Sequence, residues 1–265
     1  MKKLLLAFTA GLMAVSCIII GGGTFVGTCT EEGIDYTEVR EVAQFNAIVS
    51  SLPCNLYYVQ GNQQEVRIES TEEFAGKVLT EVEGGQLKLK LQEGRYPRLI
   101  LRVFVTSPDI ESLSVSGSGN LISEGVLHAS KDLILRVSGS GDIRTGDIDS
   151  RDFNAHISGS GSLRAATVSC AGAEVSTSGS GSIDIEALTA SGNASARVSG
   201  SGRIRLHELA VDGDLGLRTS GSGGIVVNGR CRDVSATTSG SGSISGDLSY
   251  TSIQSHTSGS GHIKL

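Results

Sequence analysis

The sequence of 265 residues has no Trp, only three prolines, and 4% aromatic residues. A core of ordinary thickness relies on large aromatic fillers, so their scarcity points to a thin interior. With so little Pro, the chain is not a Pro/Gly linker. Positive charge is also short: 22 Lys and Arg face 28 Asp and Glu, for a net charge of −6 and a pI near 5.4. Such a balance offers phosphate no general attraction and argues against a nucleic-acid partner. What is abundant is glycine, at 36 residues. The glycines lack the strict three-residue period of collagen. A hydrophobic share of 38% with modest net charge excludes a disordered chain. The glycines therefore serve an ordered architecture.

The start of the chain reads as an address. Met1-Lys2-Lys3 is basic, and Leu4 to Ile20 carries no charge. This is the pattern of a signal peptide, with a retained membrane anchor as the alternative. Met13-Ala14-Val15-Ser16-Cys17 resembles a bacterial lipobox, in which small residues precede the cysteine that takes the diacylglyceryl group. Cys17 is the expected lipidation site. Cys29, followed by Thr30-Glu31-Glu32, is its rival. Either assignment makes the product an exported, lipid-anchored protein of the cell envelope, expected in the outer membrane with its facing side left open. The expected division is signal peptide 1–16, tether 17–35 and one β-helical domain 36–265.

Ser-Gly-Ser-Gly occurs eight times, beginning at Ser116, Ser138, Ser158, Ser178, Ser199, Ser220, Ser239 and Ser258. The intervals run from 19 to 22 residues. An aliphatic residue or Thr precedes each copy, and Leu or Ile follows at a fixed distance, as in Leu121, Ile143, Leu163 and Ile183. Upstream, apolar residues alternate, as in Leu133-x-Leu135-x-Val137. A period of two is a strand signature. The unit lacks the Asn ladder of leucine-rich repeats. The fold predicted is all-β, a single-stranded parallel β-helix with coils of about 20 residues stacked ~4.8 Å apart. Val137 and Ile143 point inward, Ser138 and Ser140 outward. The glycines mark either a narrow strand interior or a corner with φ > 0.

Residues 36–110 lack the repeat but are β-rich, with strands expected at 37–49, 55–59, 65–70, 86–90 and 99–106 and a short helix or loop at 72–78. They are read as the opening coils and cap, ahead of the repeats at 111–265. The last coil has no comparable cap, so either self-association through that end or the polar Thr/Ser content of the last coils is expected to manage its open edge.

Repeated Ser-Gly-Ser-Gly-x-Ile/Leu, following Glu38-Val39-Arg40-Glu41-Val42-x-x-Phe45-x-x-Ile48, resembles the auto-transporter adhesin head, or GIN, domain. That family is found in lipoproteins and secreted proteins of Bacteroides-like bacteria. The resemblance implies a right-handed parallel β-helix, an adhesive role and no catalytic residues to transfer.

The residues agree with a non-enzymatic reading. Asp142, Asp147, Asp149 and Asp152 form one acidic turn that no neighbouring coil repeats, and a carbohydrate-active enzyme is the alternative they keep open. The five histidines (His128, His156, His207, His256 and His262) stand in no catalytic setting. The motif lacks the Lys and helix of a phosphate loop. No cofactor is expected, and no metal, because the cysteines show no metal-ligand spacing. Cys170 and Cys231 fall three coils apart, too far for a disulfide, which needs Cα atoms within about 7 Å. Two outward columns carry charge. One holds Arg136, His156, Arg197, Arg218 and His256; the other holds Arg144, Arg164, Asp184, Arg205 and Lys264. The second predicts an Arg164–Asp184–Arg205 ladder. The first, through Arg136, Arg197 and Arg218, is a candidate stripe for anionic ligands. Expected partners are the lipid bilayer through the anchor, and glycans or surface proteins.

Overall fold

A computed structural model describes residues 24–265 together with the backbone of Val15–Ser16. Apart from Val15–Ser16, the expected signal peptide lies outside the described residues, as does Cys17.

The chain is a parallel β-solenoid, as expected. Its strands fall into two sheets, of 15 and 11 strands among the described residues. They are called here wall A and wall B. Each repeat contributes one strand to each. Wall B stacks Leu133–Val137, Asp152–Gly159, Gly172–Gly179, Ala194–Gly200, Asp214–Gly221 and Asp233–Gly240, all parallel and in register. Wall A stacks Asp142–Asp149, Ser162–Cys170, Ser182–Ala190 and Arg203–Val211 the same way. Period-two alternation buries Phe153, Ala155 and Ile157 on one wall against Leu163, Ala165 and Val168 on the other. Each of these four wall A strands has two successive outward residues, such as Ala166 and Thr167. The strand turns a corner there. Every inward aliphatic contributes roughly 1.5–3 kcal/mol, summed over a stack rather than a globule.

The repeat motif is both things that the sequence left open. Its first Ser-Gly ends a wall B strand and its second begins the crossing to wall A. The first glycine has positive φ in seven copies, for example +129° at Gly179 and +112° at Gly200. Its carbonyl accepts from the next coil: Ser201 N donates to Gly179 O at 2.8 Å. This is the corner. The second glycine faces inward, where a Cβ at Gly181 would lie 2.6 Å from Gly161 O and 2.5 Å from Ile157 Cγ2. From Ser138 onward, both serines of each copy are exposed.

The N-terminal part departs from simple stacking. The expected strand 37–49 is two, Tyr36–Arg40 and Ala47–Ser50, and the short helix is confined to Glu72–Ala75. The first coil, Ala47–Ser50 and Leu56–Gln60, is sandwiched between later chain. Gln86–Leu91 and Gly94–Ser107 lie on its outer side, Ser112–Val115 and Asn120–His128 on its inner side. Antiparallel strands then close the outer edge. Val78–Glu83 covers wall B, while Glu65–Ser70 and Tyr36–Arg40 cover wall A. These strands satisfy backbone groups that an open coil would expose.

Part of the span 17–35, expected to be a tether, is built into the fold. Thr24–Thr30 is a strand paired in parallel with Gly94–Ser107, so ordered structure starts ahead of residue 36. Cys29 on this strand is disulfide-bonded to Cys54, with Cα atoms 5.7 Å apart. The cysteine that rivalled Cys17 for lipid is therefore engaged elsewhere. The bond pins the first strand to the first coil. Closing a span of 25 residues, it is expected to contribute about 3 kcal/mol, the loss to be read from denaturant unfolding of Cys54→Ser.

Cys170 and Cys231 are free and buried. Burial pushes the Cys170 thiol up to about 11 and raises that of Cys231. Neither is a thiolate at neutral pH. Peptide mapping after native alkylation should find both unmodified, and after unfolding both modified.

Candidate functional site

The outer face of wall B is the most regular surface of the molecule. Its register places Ser114, Arg136, His156, Ser176, Arg197, Arg218, Thr237 and His256 in one continuous column. The sequence-derived stripe is thus a real column. Arg197 and Arg218 are direct neighbours, about 4.8 Å apart by strand spacing. Arg136 stands three strands from Arg197, with His156 and Ser176 between them.

On one side of this column run the motif serines: Ser138, Ser158, Ser178, Ser199, Ser220 and Ser239, all exposed. On the other side lie Asn154, Glu174, Ser195, Gly216 and Ser235. The face is therefore flat, hydroxylated and short of acid. Acids at strand starts are held by their own arginines: Arg232 meets Asp214 at 2.7 Å and Asp233 at 3.5 Å, and Arg151 meets Asp152 at 3.8 Å. Glu174 pairs with Arg197. Arg136 and Arg218 form no ion pair among the described residues. His156 Nδ1 lies 2.9 Å from Ser176 Oγ. Like charges stacked at strand spacing are unfavourable unless an anion joins them. A protein of net charge −6 thus carries a guanidinium pair on one face with a single carboxylate beside it.

Wall A gives a different picture. Its column is also in register, with Asp184 between Arg164 and Arg205. The ladder forms on one side only: Arg205 Nη1 reaches Asp184 Oδ2 at 3.4 Å, and the other carboxylate oxygen takes His207 Nε2 at 2.7 Å. His207 was not anticipated there, because its ring reaches across from the next coil two residues beyond the in-register partner. Asp184, Glu186 and His207 present ligand atoms within 4.8 Å of one another, a grouping that could hold a metal ion. Arg205 is a competing cation at that spot.

The acidic turn is likewise occupied. Asp142 Oδ1 accepts from Ser162 N at 3.0 Å and Ser162 Oγ at 2.7 Å, tying two coils. Asp149 lies 3.4 Å from His128. These carboxylates take part in coil-to-coil contacts.

A family model described as "Putative auto-transporter adhesin, head GIN domain" matches residues 44–230 and again 173–265. The chain belongs to this family. No curated protein matches the chain. Among solved structures, a "putative adhesin" of Parabacteroides distasonis superposes with a TM-score of 0.77 at 18% identity, over 88% of this chain and 98% of that one. A "putative adhesin" of Parabacteroides merdae gives 0.74 at 18% identity, over 88% and 96%. A "putative lipid binding protein" of P. distasonis gives 0.70 at 20% identity, over 88% and 97%. At these identities the likeness shows the GIN fold alone. The fold is thus secure for this chain, while any ligand is to be read from its own residues.

Proposed function

We propose that this GIN-domain protein is a non-enzymatic, exported adhesin that holds anionic glycans on wall B, anchored to the envelope by lipid at Cys17. Family membership supports the adhesive role. The observation that carries the ligand class is the Arg197–Arg218 neighbour pair, extended by His156 and Arg136 and flanked by serine hydroxyls. Guanidinium groups recognise carboxylate and sulfate oxygens in a bidentate fork. Outward hydroxyls donate to and accept from sugar hydroxyls. A linear polyanion laid along the solenoid axis meets both along the column. Because the coils are rigid, the face is preorganised, and little ordering cost falls on the protein.

On an anionic-polysaccharide resin at low salt, the protein is expected to be retained and to elute as salt screens the contacts. Arg136→Ala, Arg197→Ala and Arg218→Ala together should abolish retention. Retention unchanged in the triple variant would remove the stripe from the account. A polysaccharide-degradation screen tests the enzyme alternative, and turnover of any glycan would favour it.

A further inference from the structure

A second exposed feature lies at the opposite, N-terminal end. On the strand Thr24–Thr30, Phe25 is 37% exposed. Its in-register partner on the neighbouring strand is Arg95, whose guanidinium carbon sits 5.3 Å from the ring centroid. Thr28 is in register with Arg98, and Arg95 and Arg98 are both exposed. Neither arginine has a carboxylate within 4.0 Å among the described residues, although Glu93 is close in sequence. An exposed aromatic ring backed by two unneutralised arginines is unusual on a molecule whose other described aromatics are mostly buried or half-buried.

Position in the chain gives this corner a partner. The proposed lipid-bearing Cys17 is joined to Thr24 by the uncharged Ile18-Ile19-Ile20-Gly21-Gly22-Gly23. Seven residue steps span at most about 25 Å. A lipid on Cys17 therefore holds Phe25, Arg95 and Arg98 within reach of the headgroup layer. Aromatic rings favour that interface, and arginines favour anionic headgroups there.

We infer that Phe25, Arg95 and Arg98 form a docking corner for the anionic phospholipid headgroups of the anchoring membrane. The inference rests on the reading of the protein as membrane-anchored. It adds that the solenoid is seated on the bilayer at this end rather than swinging from a free tether, with wall B left open to ligand.

The lack of Trp makes the test clean. The lipidated protein is reconstituted into vesicles of three parts phosphatidylcholine to one part phosphatidylglycerol, brominated near the acyl carbonyl. Phe25→Trp provides a corner reporter, and Ile253→Trp, at the far end of the stack, provides a distal one. Seating predicts that the corner reporter's fluorescence is quenched about twofold or more, with the distal reporter unaffected. Adding Arg95→Glu and Arg98→Glu to Phe25→Trp should remove at least about half of that quenching. Vesicle flotation is recorded on the same samples. A chain that floats with its corner reporter quenched no more than the distal one overturns the docking corner and leaves the anchor intact. A chain that does not float contradicts the anchor. If the corner reporter is nonetheless quenched, the corner stands by itself; if it is not, both readings fall.

Discussion

Ile204→Asp is expected to unfold the stack, whereas Arg205→Asp, one residue along the same strand, should leave it folded. Ile204 is fully buried between Ile183 and Ile225 in the wall A column. Aspartate there forfeits roughly 1.5–3 kcal/mol of apolar burial and adds several more for an unpaired buried carboxylate. A loss of at least about 5 kcal/mol is comparable with the whole stability of an ordinary domain. Because each coil touches only its neighbours, the damage interrupts the stack in its middle. Arg205 faces outward. Its replacement breaks a half-exposed pair with Asp184 and sets two carboxylates side by side, a cost of about 1 kcal/mol. Thermal unfolding followed by circular dichroism separates the two outcomes. Equal melting temperatures would contradict the assignment of inside and outside.

Gly181→Ala should be nearly as severe, although it adds a single methyl. The new Cβ would lie 2.6 Å from the Gly161 carbonyl oxygen and 2.5 Å from Ile157 Cγ2. A backbone oxygen that already belongs to the ladder cannot step aside without shifting a coil, and overpacking of this kind costs about 3 kcal/mol or more. Gly216→Ala is the matched control. Its Cβ would meet nothing nearer than 3.7 Å, on the outer face of wall B. Alanine in that strand is expected to stabilise by about 0.5 kcal/mol, since glycine weakens a strand. Denaturant midpoints should therefore move in opposite directions. Similar shifts would mean that the motif glycines are not there for close approach.

These pairs also show what the sequence makes legible. A period of two fixes which side chains face in. The repeat interval fixes which residues stack, so the columns through Arg197 and Arg218, and through Arg164, Asp184 and Arg205, were readable in order. Contacts off that lattice were not. His207 joins Asp184 by reaching diagonally across coils. Cys29 meets Cys54 because a strand read as tether pairs with Gly94–Ser107, which packs on the first coil out of chain order. Thr24–Thr30 is short and follows directly on an apolar leader, so its alternation carried no weight of its own. Whether Gly179 sits in a strand or at a corner depends on a φ angle, which composition does not encode. The eight-fold motif identifies the architecture, while the proposed binding face comes from the residues that break the repeat.

That face can be tested against a matched one. Arg197→Ala with Arg218→Ala on wall B, and Arg144→Ala with Arg164→Ala on wall A, change net charge equally. Calorimetric titration of both double variants and the parent with one defined sulfated oligosaccharide isolates position from overall charge. Wall B recognition predicts at least about a tenfold loss of affinity for the first double variant, as two charge-assisted contacts are removed, and little change for the second. Equal losses in both would reduce the binding to net charge and contradict a glycan site on wall B.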